Sequence, residues 1–168
     1  MALPEKAKKI KLVATDIDGV WTNGVMYYTE NGDFMKAFST YDGMAVKLLR
    51  NAGIPVIIMT GEQSEIVSKR ASKLGIERVY LGENEKLKRL KYVCADLELN
   101  LDEIAFIGDD VNDSEVIEAV GLSAMPSSSP VLDKHSPDII TQRKGGEGAF
   151  REFADFIFRN NLVQFSQP

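Results

Sequence analysis

Two aspartates, Asp16 and Asp18, follow an apolar run, I-K-L-V-A-T at residues 10–15, that has the composition of a buried strand. A carboxylate beside a phosphate ester can attack phosphorus and form an aspartyl-phosphate. A second carboxylate two residues further along an extended chain faces the same way and can exchange the proton that the leaving oxygen needs. The pair therefore predicts Asp16 as nucleophile and Asp18 as general acid and base. On the pair alone, turn capping by short carboxylates is an equal alternative.

Two further groups of polar residues follow apolar runs. Thr60 and Gly61 come after the run at 54–59, and G-D-D-V-N-D at 108–113 comes after the run at 104–107. The carboxyl ends of parallel strands meet at one edge of a sheet, so we expect these groups to converge with the first pair. Converging carboxylates repel each other, and oxygen ligands without a His or Cys cluster favour Mg²⁺ as the cation that relieves the repulsion. The aspartates of the third group are Asp109, Asp110 and Asp113.

Strand-like and helix-like segments alternate along the chain. This order predicts an α/β fold, a Rossmann-like and mostly parallel sheet with helices on both faces, in a single domain over residues 1–168. The first nine residues are expected to be a mobile lead. The predicted strands are 10–15, 54–59, 78–81, 104–107, 122–125 and 138–141, and the predicted helices are 42–52, 62–74, 84–98, 112–120 and 148–160.

A β-hairpin is predicted at residues 25–38. The segments V-M-Y-Y (25–28) and F-M-K-A-F (34–38) flank Asn31 and Gly32, which together are a strong turn signal. A hairpin with this many apolar side chains is marginal alone, which favours association between subunits.

Composition excludes several classes of partner. The chain has 168 residues, a formal net charge of −5 and a single cysteine, and its isoelectric point is about 5.0. We therefore expect no nucleic acid and no anionic membrane as a partner. No apolar run approaches the ~20 residues of a membrane span, and a cytoplasmic location is expected. An anionic substrate requires a local cation.

Together the motifs resemble those of the haloacid dehalogenase superfamily of phosphohydrolases, namely D-I-D-G-V at 16–20, T-G at 60–61, a lysine, and G-D-D-V-N-D at 108–113. The resemblance implies that Thr60 holds a phosphoryl oxygen and that Lys86, in G-E-N-E-K-L, neutralises the nucleophile and the transferring phosphoryl group. It further implies that Mg²⁺ is held by Asp16, the backbone carbonyl of Asp18, and Asp109, with Asp110 and Asp113 in support.

The short connection between the first two motifs points to a branch of this superfamily that lacks a cap domain, because the hairpin takes the cap's place. The resemblance to this branch implies a homotetramer assembled through the hairpins. It also implies that a neighbour's C-terminal tail covers each site, and the glycine-rich tail and C-terminal helix at 143–168, with K-G-G-E-G-A-F-R-E at 144–152, match that feature. A flexible lead-in to the last helix is the alternative.

Substrate specificity is assigned to the helix after Thr60. At about 100° per residue, Glu62, Arg70 and Lys73 share one face of a helix at 62–74, although a solvated charged face is the simpler explanation on spacing alone. In the resembling branch, octulosonate phosphatases typically carry Arg after T-G, whereas nonulosonate phosphatases carry T-G-E. That resemblance implies that Arg70 and Lys73 bind a sugar-acid carboxylate and that Glu62, next to Gly61, accepts sugar hydroxyls.

The resemblance implies hydrolysis of a sugar-acid phosphate, with 2-keto-3-deoxy-D-glycero-D-galacto-nonulosonate 9-phosphate as the favoured substrate. The alternative is 3-deoxy-D-manno-octulosonate 8-phosphate, and N-acetylneuraminate 9-phosphate is a relative of the favoured substrate. Two other classes are open. A receiver-like phospho-acceptor domain also combines aspartates, Mg²⁺, a Thr and a Lys, and a non-catalytic scaffold would keep the fold without turnover.

Overall fold

Residues 1–161, which a computed structural model describes, form alternating strands and helices. The strands are β1 (Leu12–Thr15), β2 (Tyr27–Thr29), β3 (Gly32–Met35), β4 (Val56–Met59), β5 (Val79–Tyr80), β6 (Ile104–Ile107), β7 (Leu122–Pro126) and β8 (Ile139–Thr141). The helices are α1 (Leu3–Lys8), α2 (Thr40–Asn51), α3 (Glu65–Leu74), α4 (Lys86–Asp96), α5 (Ser114–Ala119) and α6 (Ala149–Asn161). This order confirms the predicted α/β class.

The central sheet has six strands in the order β5-β4-β1-β6-β7-β8, and every pair in it is parallel. Val13 pairs with Val56 on one side and Ala105 on the other, so β1 lies between β4 and β6. All residues of these three strands are buried, as expected for parallel strands covered on both faces. The carboxyl ends of the three strands are therefore adjacent.

Helices cover both faces of the sheet. On one face Val13 packs in a core with side chains of α1, α2, α3 and α6, among them Leu49 and Phe153. On the other face Leu12 packs with side chains of α4 and α5, including Leu90 and Val116. Consecutive residues of β1 point into opposite cores, because side chains alternate along a strand.

The N-terminus differs from the prediction, since residues 3–8 form a helix instead of a mobile lead. Pro4 lies in the first turn, where a missing N–H costs nothing. Ala7 is fully buried, and the side-chain amide of Asn161 donates to the Ala7 carbonyl at 2.6 Å. This short helix is stabilised by packing against α6.

The helix after β4 begins later than predicted. Its N-cap position is Ser64 and its first residue is Glu65, so Glu62 precedes the helix. The angular argument that placed Glu62 on one helical face with Arg70 and Lys73 is therefore wrong.

The predicted hairpin is present as the antiparallel pair β2 and β3, outside the central sheet. Thr29 pairs with Gly32 around a turn at Glu30 and Asn31, one residue earlier than predicted. Gly32 adopts a φ of 101°, a conformation that favours glycine. Within residues 1–161, no helix has the length and apolarity needed to cross a membrane.

Candidate active site

A cavity of about 230 Å³ lies at the carboxyl ends of β1, β4 and β6. The structure therefore brings together most of the residues predicted for the site. The lining residues are Asp16, Asp18, Gly19, Gly24, Thr60, Gly61, Glu62, Asp109, Asp110 and Asn112.

Lys86 and Asp113 lie beneath this cavity and connect to Asp16. The Lys86 ammonium is 3.2 Å from Asp16 Oδ2 and 2.6 Å from Asp113 Oδ1, and its side chain is only 1% exposed. Burial alone would lower the pKa of Lys86, but the two carboxylates outweigh it and raise the pKa. Lys86 is the first residue of α4, so the helix start fixes a permanent positive charge against the predicted nucleophile.

Asp16 and Asp109 are protonated far more readily than ordinary aspartates. Burial, then repulsion from Asp113, raises the pKa of Asp16 to about 7 although Lys86 opposes the shift. Burial, then repulsion from Asp16, Asp113 and Asp110, raises the pKa of Asp109 to about 8. The site holds more negative charge than Lys86 neutralises, which is the condition that a bound cation relieves.

The donor set fits a hard divalent cation. Carboxylate oxygens of Asp16, Asp109 and Asp113 lie within 4.8 Å of one another, and Asp16 Oδ1 is buried without a hydrogen-bond partner among residues 1–161. Both Asp113 oxygens are already engaged, since Oδ1 pairs with Lys86 and Oδ2 accepts from the Asp109 N–H at 3.0 Å. Asp16 and Asp109 are therefore the better candidates for ligands, and Asp113 positions them.

Glycines let the acidic loops approach each other. Gly19 has a φ of 82°, and a Cβ at this position would overlap the Asp109 carboxylate. A Cβ at Gly108 would overlap the Asp113 side chain in the same way. Asp110 Oδ1 accepts from the Val111 N–H at 2.7 Å and so stabilises the turn that follows.

Thr60 offers a hydroxyl donor at the end of β4. Its side chain is buried, and Oγ1 accepts from the Glu62 N–H at 3.3 Å. Its backbone N–H donates to the Tyr80 carbonyl at 3.0 Å, which fixes the residue to β5. Because Oγ1 already accepts a hydrogen bond, its proton can be donated to an oxygen in the cavity.

Lys36 is a site residue that the sequence reasoning missed. It follows β3 of the hairpin, its side chain is 1% exposed, and its ammonium lies 2.7 Å from Asp18 Oδ1. The available signal was a single lysine within the apolar segment F-M-K-A-F, but nothing local in the sequence pairs it with an aspartate 18 residues earlier.

Arg70 and Lys73 lie away from the cavity of their own chain. The Arg70 guanidinium donates to the Ser39 carbonyl at 3.3 Å and stands 5.7 Å from the centre of the Phe38 ring. Lys73 is exposed in the last turn of α3. Glu62, in contrast, lines the cavity, and a joint role of the three in substrate binding stays a prediction.

The glycine-rich segment of the tail packs on its own chain. The Gly146 N–H donates to the Val20 carbonyl at 3.1 Å, and a Cβ at Gly145 would overlap the Gly19 carbonyl. These residues therefore support the loop after Asp18 within the same chain, and coverage of each site by a neighbour's tail stays a prediction. The end of the predicted tail, 162–168, lies outside the described residues.

Helix α6 continues this support toward the nucleophile. The Trp21 and Phe150 rings lie 4.8 Å apart in the core. The Trp21 indole donates to Thr15 Oγ1 at 3.0 Å, and the Thr15 hydroxyl donates to the Asp16 carbonyl at 2.7 Å. The backbone of Asp16 is thus held in place by the buried side chains of Thr15 and Trp21.

Comparison with known proteins identifies the family. The family model of haloacid dehalogenase-like hydrolases matches residues 33–121. The 3-deoxy-D-manno-octulosonate 8-phosphate phosphatase of Haemophilus influenzae is 36% identical over 161 residues, which cover 94% of this chain and 87% of the relative. A hydrolase family favours an enzyme over the receiver-like and scaffold alternatives.

Solved structures show the same similarity. The crystal structure of the phosphatase of that name from Yersinia pestis has a TM-score of 0.91 and 33% identity, covering 98% of this chain and 89% of its own. That from Moraxella catarrhalis, in complex with magnesium ion, phosphate ion and KDO, has a TM-score of 0.90 and 34% identity, covering 96% and 94%. These names fit the eight-carbon alternative better than the nine-carbon prediction. A family match over more than half of the chain, with relatives this similar over nearly all of it, shows that the chain belongs to the haloacid dehalogenase-like hydrolases and is a phosphoric monoester hydrolase.

Proposed function

We propose that this chain is a Mg²⁺-dependent phosphatase that hydrolyses 3-deoxy-D-manno-octulosonate 8-phosphate. The observation that carries the proposal is 36% identity to a phosphatase of that name over 94% of the chain. The similar Moraxella catarrhalis structure, with its magnesium ion, phosphate ion and KDO, supports the same cofactor and product. The acidic cavity of this chain supplies the matching donor set.

Asp16 is the nucleophile of the proposed reaction. Its Oδ2 is held by Lys86, whereas its Oδ1 has no hydrogen-bond partner within residues 1–161. Asp16, Asp109 and the Asp18 carbonyl would hold Mg²⁺, whose positive charge would offset the repulsion between the acidic site and a phosphate dianion. One oxygen of the Asp16 carboxylate attacks phosphorus to form the aspartyl-phosphate, as the bond from phosphorus to the sugar oxygen breaks.

Asp18 and Thr60 complete the proposed chemistry. Asp18 gives its proton to the departing sugar alkoxide, and then takes one from the water that hydrolyses the aspartyl-phosphate. The Thr60 hydroxyl donates to a phosphoryl oxygen, and the positive charge of Lys86 stabilises the negative charge of the transferring phosphoryl group. Hydrolysis of the aspartyl-phosphate releases phosphate, and both Asp16 and the protonated Asp18 are regenerated for the next turnover.

A nine-carbon substrate is the second candidate, because Glu62 lines the cavity. A carboxylate at this position accepts hydrogen bonds from sugar hydroxyls but repels a second anionic group of the substrate. This chemistry favours a longer polyol whose carboxylate lies further from the phosphate. The nine-carbon 2-keto-3-deoxy-nonulosonate 9-phosphate meets that description.

The deciding experiment is kcat/KM for the eight- and nine-carbon keto-acid phosphates, measured side by side with Mg²⁺ by phosphate release. We expect the eight-carbon ester to be hydrolysed with the higher kcat/KM. A higher value for the nine-carbon ester would replace the first proposal by the second. Hydrolysis of neither ester by an enzyme that turns over other phosphate esters would exclude both.

Asp16→Asn tests the nucleophile in the same assay. We expect kcat to fall by at least ~1000-fold, because removing a nucleophile disables the whole catalytic unit, while circular dichroism stays unchanged. Asp133→Asn, at an exposed position, is the matched control. Substantial residual activity of the Asp16 variant would contradict the assignment.

We also propose that the hairpins associate into a homotetramer. The hairpin lies outside the central sheet and exposes large apolar side chains, including Tyr28 at 60% and Phe34 at 68%. Apolar side chains of this size are normally covered in a stable protein. The chemistry described above does not require the assembly, since Asp16, Asp18, Thr60, Lys86 and Asp109 all belong to one chain.

A further inference from the structure

Lys36 is a buried cation that connects the hairpin to the catalytic pocket. Its ammonium lies 2.7 Å from Asp18 Oδ1 and 3.8 Å from Asp33 Oδ2, with only 1% of the side chain exposed. Burying an ammonium is costly unless it is paired, so a lysine at this depth is retained with its carboxylate partners. The shorter of its two contacts is with the residue proposed as general acid and base.

The two oxygens of Asp18 have different surroundings. Oδ1 accepts from Lys36 and lies 3.3 Å from the Thr22 hydroxyl, which also donates to it. Oδ2 is buried and is without a hydrogen-bond partner in the described part of the chain. Oδ1 already receives two donors, so Oδ2 is the oxygen that is left for proton exchange.

We propose that Lys36 is a positioning residue for Asp18, an inference that rests on the proposed phosphatase function. By holding Oδ1, Lys36 fixes the carboxylate so that Oδ2, and not Oδ1, exchanges the proton with the leaving oxygen. As the bond from phosphorus to the sugar oxygen breaks, the alkoxide takes the proton from Oδ2 and Asp18 becomes a carboxylate, still bound to Lys36 through Oδ1. In the second half of the reaction, Oδ2 takes a proton from the attacking water.

This assignment gives the hairpin a catalytic role within its own chain. Lys36 follows β3 directly, and Asp33, its second partner, lies within β3. The hairpin therefore determines where the cation is placed, and the cation determines which Asp18 oxygen exchanges protons. A hairpin that served only as an interface between subunits would need no buried ammonium on the pocket.

Two phosphate esters with different leaving groups can distinguish two roles of Lys36: positioning the general acid Asp18, or neutralising negative charge in the site. A sugar alkoxide is a poor leaving group and needs a proton from Asp18, whereas nitrophenolate departs as a stable anion and does not. Both esters present the same phosphate dianion to the site. A defect in proton donation must therefore reduce alkyl phosphate hydrolysis selectively, whereas loss of a positive charge must affect both esters alike.

The test is Lys36→Met, assayed with Mg²⁺ on a sugar-acid phosphate and on 4-nitrophenyl phosphate. We expect kcat/KM to fall by ~100-fold for the alkyl ester and by less than ~10-fold for the aryl ester, the range of a lost general acid. Lys47→Met, an exposed lysine on α2, should leave both rates unchanged. Equal losses for the two esters, or an unchanged alkyl rate, would overturn the proposal.

A double variant checks that Lys36 acts through Asp18. In the Asp18→Asn background, Lys36→Met should reduce the alkyl rate by less than ~3-fold, because the group that it positions is already disabled. A further large loss would overturn the proposal. If Lys36→Met fails to fold, Lys36→Arg retains a cation but shifts the donor, and it must still reduce the alkyl rate more than the aryl rate.

The experiment can show separately whether the proposed substrate is wrong and whether the proposed role of Lys36 is wrong. The comparison needs only an alkyl phosphate that the wild-type enzyme hydrolyses, so glycerol phosphate can replace the sugar acid. An enzyme that rejects both keto-acid phosphates but shows the selective loss for Lys36→Met would exclude the substrate and retain the positioning role.

Discussion

Single atoms decide the chemistry at the residue scale. In each of the two catalytic aspartates one oxygen is held by a lysine, Asp16 Oδ2 by Lys86 and Asp18 Oδ1 by Lys36, and the other oxygen has no partner among residues 1–161. A lysine fixes the orientation of each carboxylate and offsets its charge. The pocket therefore pairs each catalytic aspartate with a buried lysine and leaves one oxygen of each aspartate without a partner.

Glu62 gives a prediction at this scale. Glu62→Ala removes a hydroxyl acceptor from the rim of the cavity but leaves the reacting atoms in place. We expect kcat/KM to fall by ~10-fold or more for sugar-acid phosphates, because a lost hydrogen bond to a substrate is worth about 1–2 kcal/mol, and to change little for 4-nitrophenyl phosphate. Glu65→Ala, exposed at the start of α3, is the control. An equal loss for both esters would remove the specificity role.

At the scale of strands and helices, some parts of the site were predictable from the sequence and others were not. The apolar runs that became β1, β4 and β6 identified the acidic rim, because the rule that parallel strands end at one edge needs no knowledge of side-chain packing. Lys36 and helix α1 were not predictable in this way. The pairing of Lys36 with Asp18 and the packing of Ala7 against α6 depend on contacts between distant parts of the chain.

The boundary of α3 shows a different limit. Four polar residues, Glu62 to Glu65, suit a first helical turn by composition, yet the helix begins only at Glu65. The preceding residues are held by local contacts, since the Glu62 N–H donates to Thr60 Oγ1 and the Gly82 N–H donates to the Glu62 carbonyl. Periodicity identified the helix but not the loop that bends over the phosphate site.

The junction of α2 and α6 predicts a pH dependence of stability. Asp42 is buried in the first turn of α2, and its Oδ1 accepts from the Arg151 N–H of α6 at 2.8 Å. Burial raises the pKa of Asp42 from 3.8 to about 6 despite that bond and nearby arginines. The folded state therefore binds this proton more tightly than the unfolded state, and stability rises as the pH falls from about 6 to about 4.

The corresponding variant is Asp42→Asn, which keeps the acceptor for Arg151 and removes the charge. We expect the free energy of unfolding at pH 7.5 to increase by ~1–3 kcal/mol, the scale of a pKa shift of this size, and its change between pH 6 and pH 4 to become smaller. Urea unfolding at these pH values is the measurement, with Asp133→Asn as control. A lower stability at pH 7.5 would show that the charge is favourable.

The contact between the tail and the catalytic loop is a second prediction at the element scale. Gly146 and Gly53 both have positive φ, 79° and 73°, but only at Gly146 would a Cβ clash, 2.8 Å from the Asn23 nitrogen. Gly146→Ala should therefore displace the loop after Asp18 and lower kcat by ~10-fold, as small misplacements in an active site do. Gly53→Ala has comparable backbone strain and should keep kcat. Equal kcat values in the two variants would exclude the coupling.

The size of the cavity is a property of the whole molecule. Its volume of about 230 Å³ is below the ~300–1,000 Å³ typical of ligand pockets, so it suits the phosphate end of the substrate. The sugar acid must then extend toward the rim, where Glu62 and the hairpin lie. Arg70 and Lys73 do not line the cavity of their own chain, so any contact they make with substrate requires another arrangement of chains or residues.

Assembly through the hairpin gives the last prediction. Phe34 is 68% exposed on β3 of the hairpin. Tyr92 is 63% exposed on α4, outside the hairpin, and serves as the control. Phe34→Ser removes apolar area from the hairpin alone, so we expect light scattering after size exclusion to show a smaller species than the tetramer proposed for the wild-type protein. Tyr92→Ser, which removes a similar exposed area, should leave the mass unchanged. If dissociation also lowers kcat/KM for sugar-acid phosphates while 4-nitrophenyl phosphate is hydrolysed at the wild-type rate, the neighbouring chain contributes to sugar binding. Because Asp16, Lys86, Asp18 and Lys36 pair within one chain, the chemical step should survive in the dissociated protein.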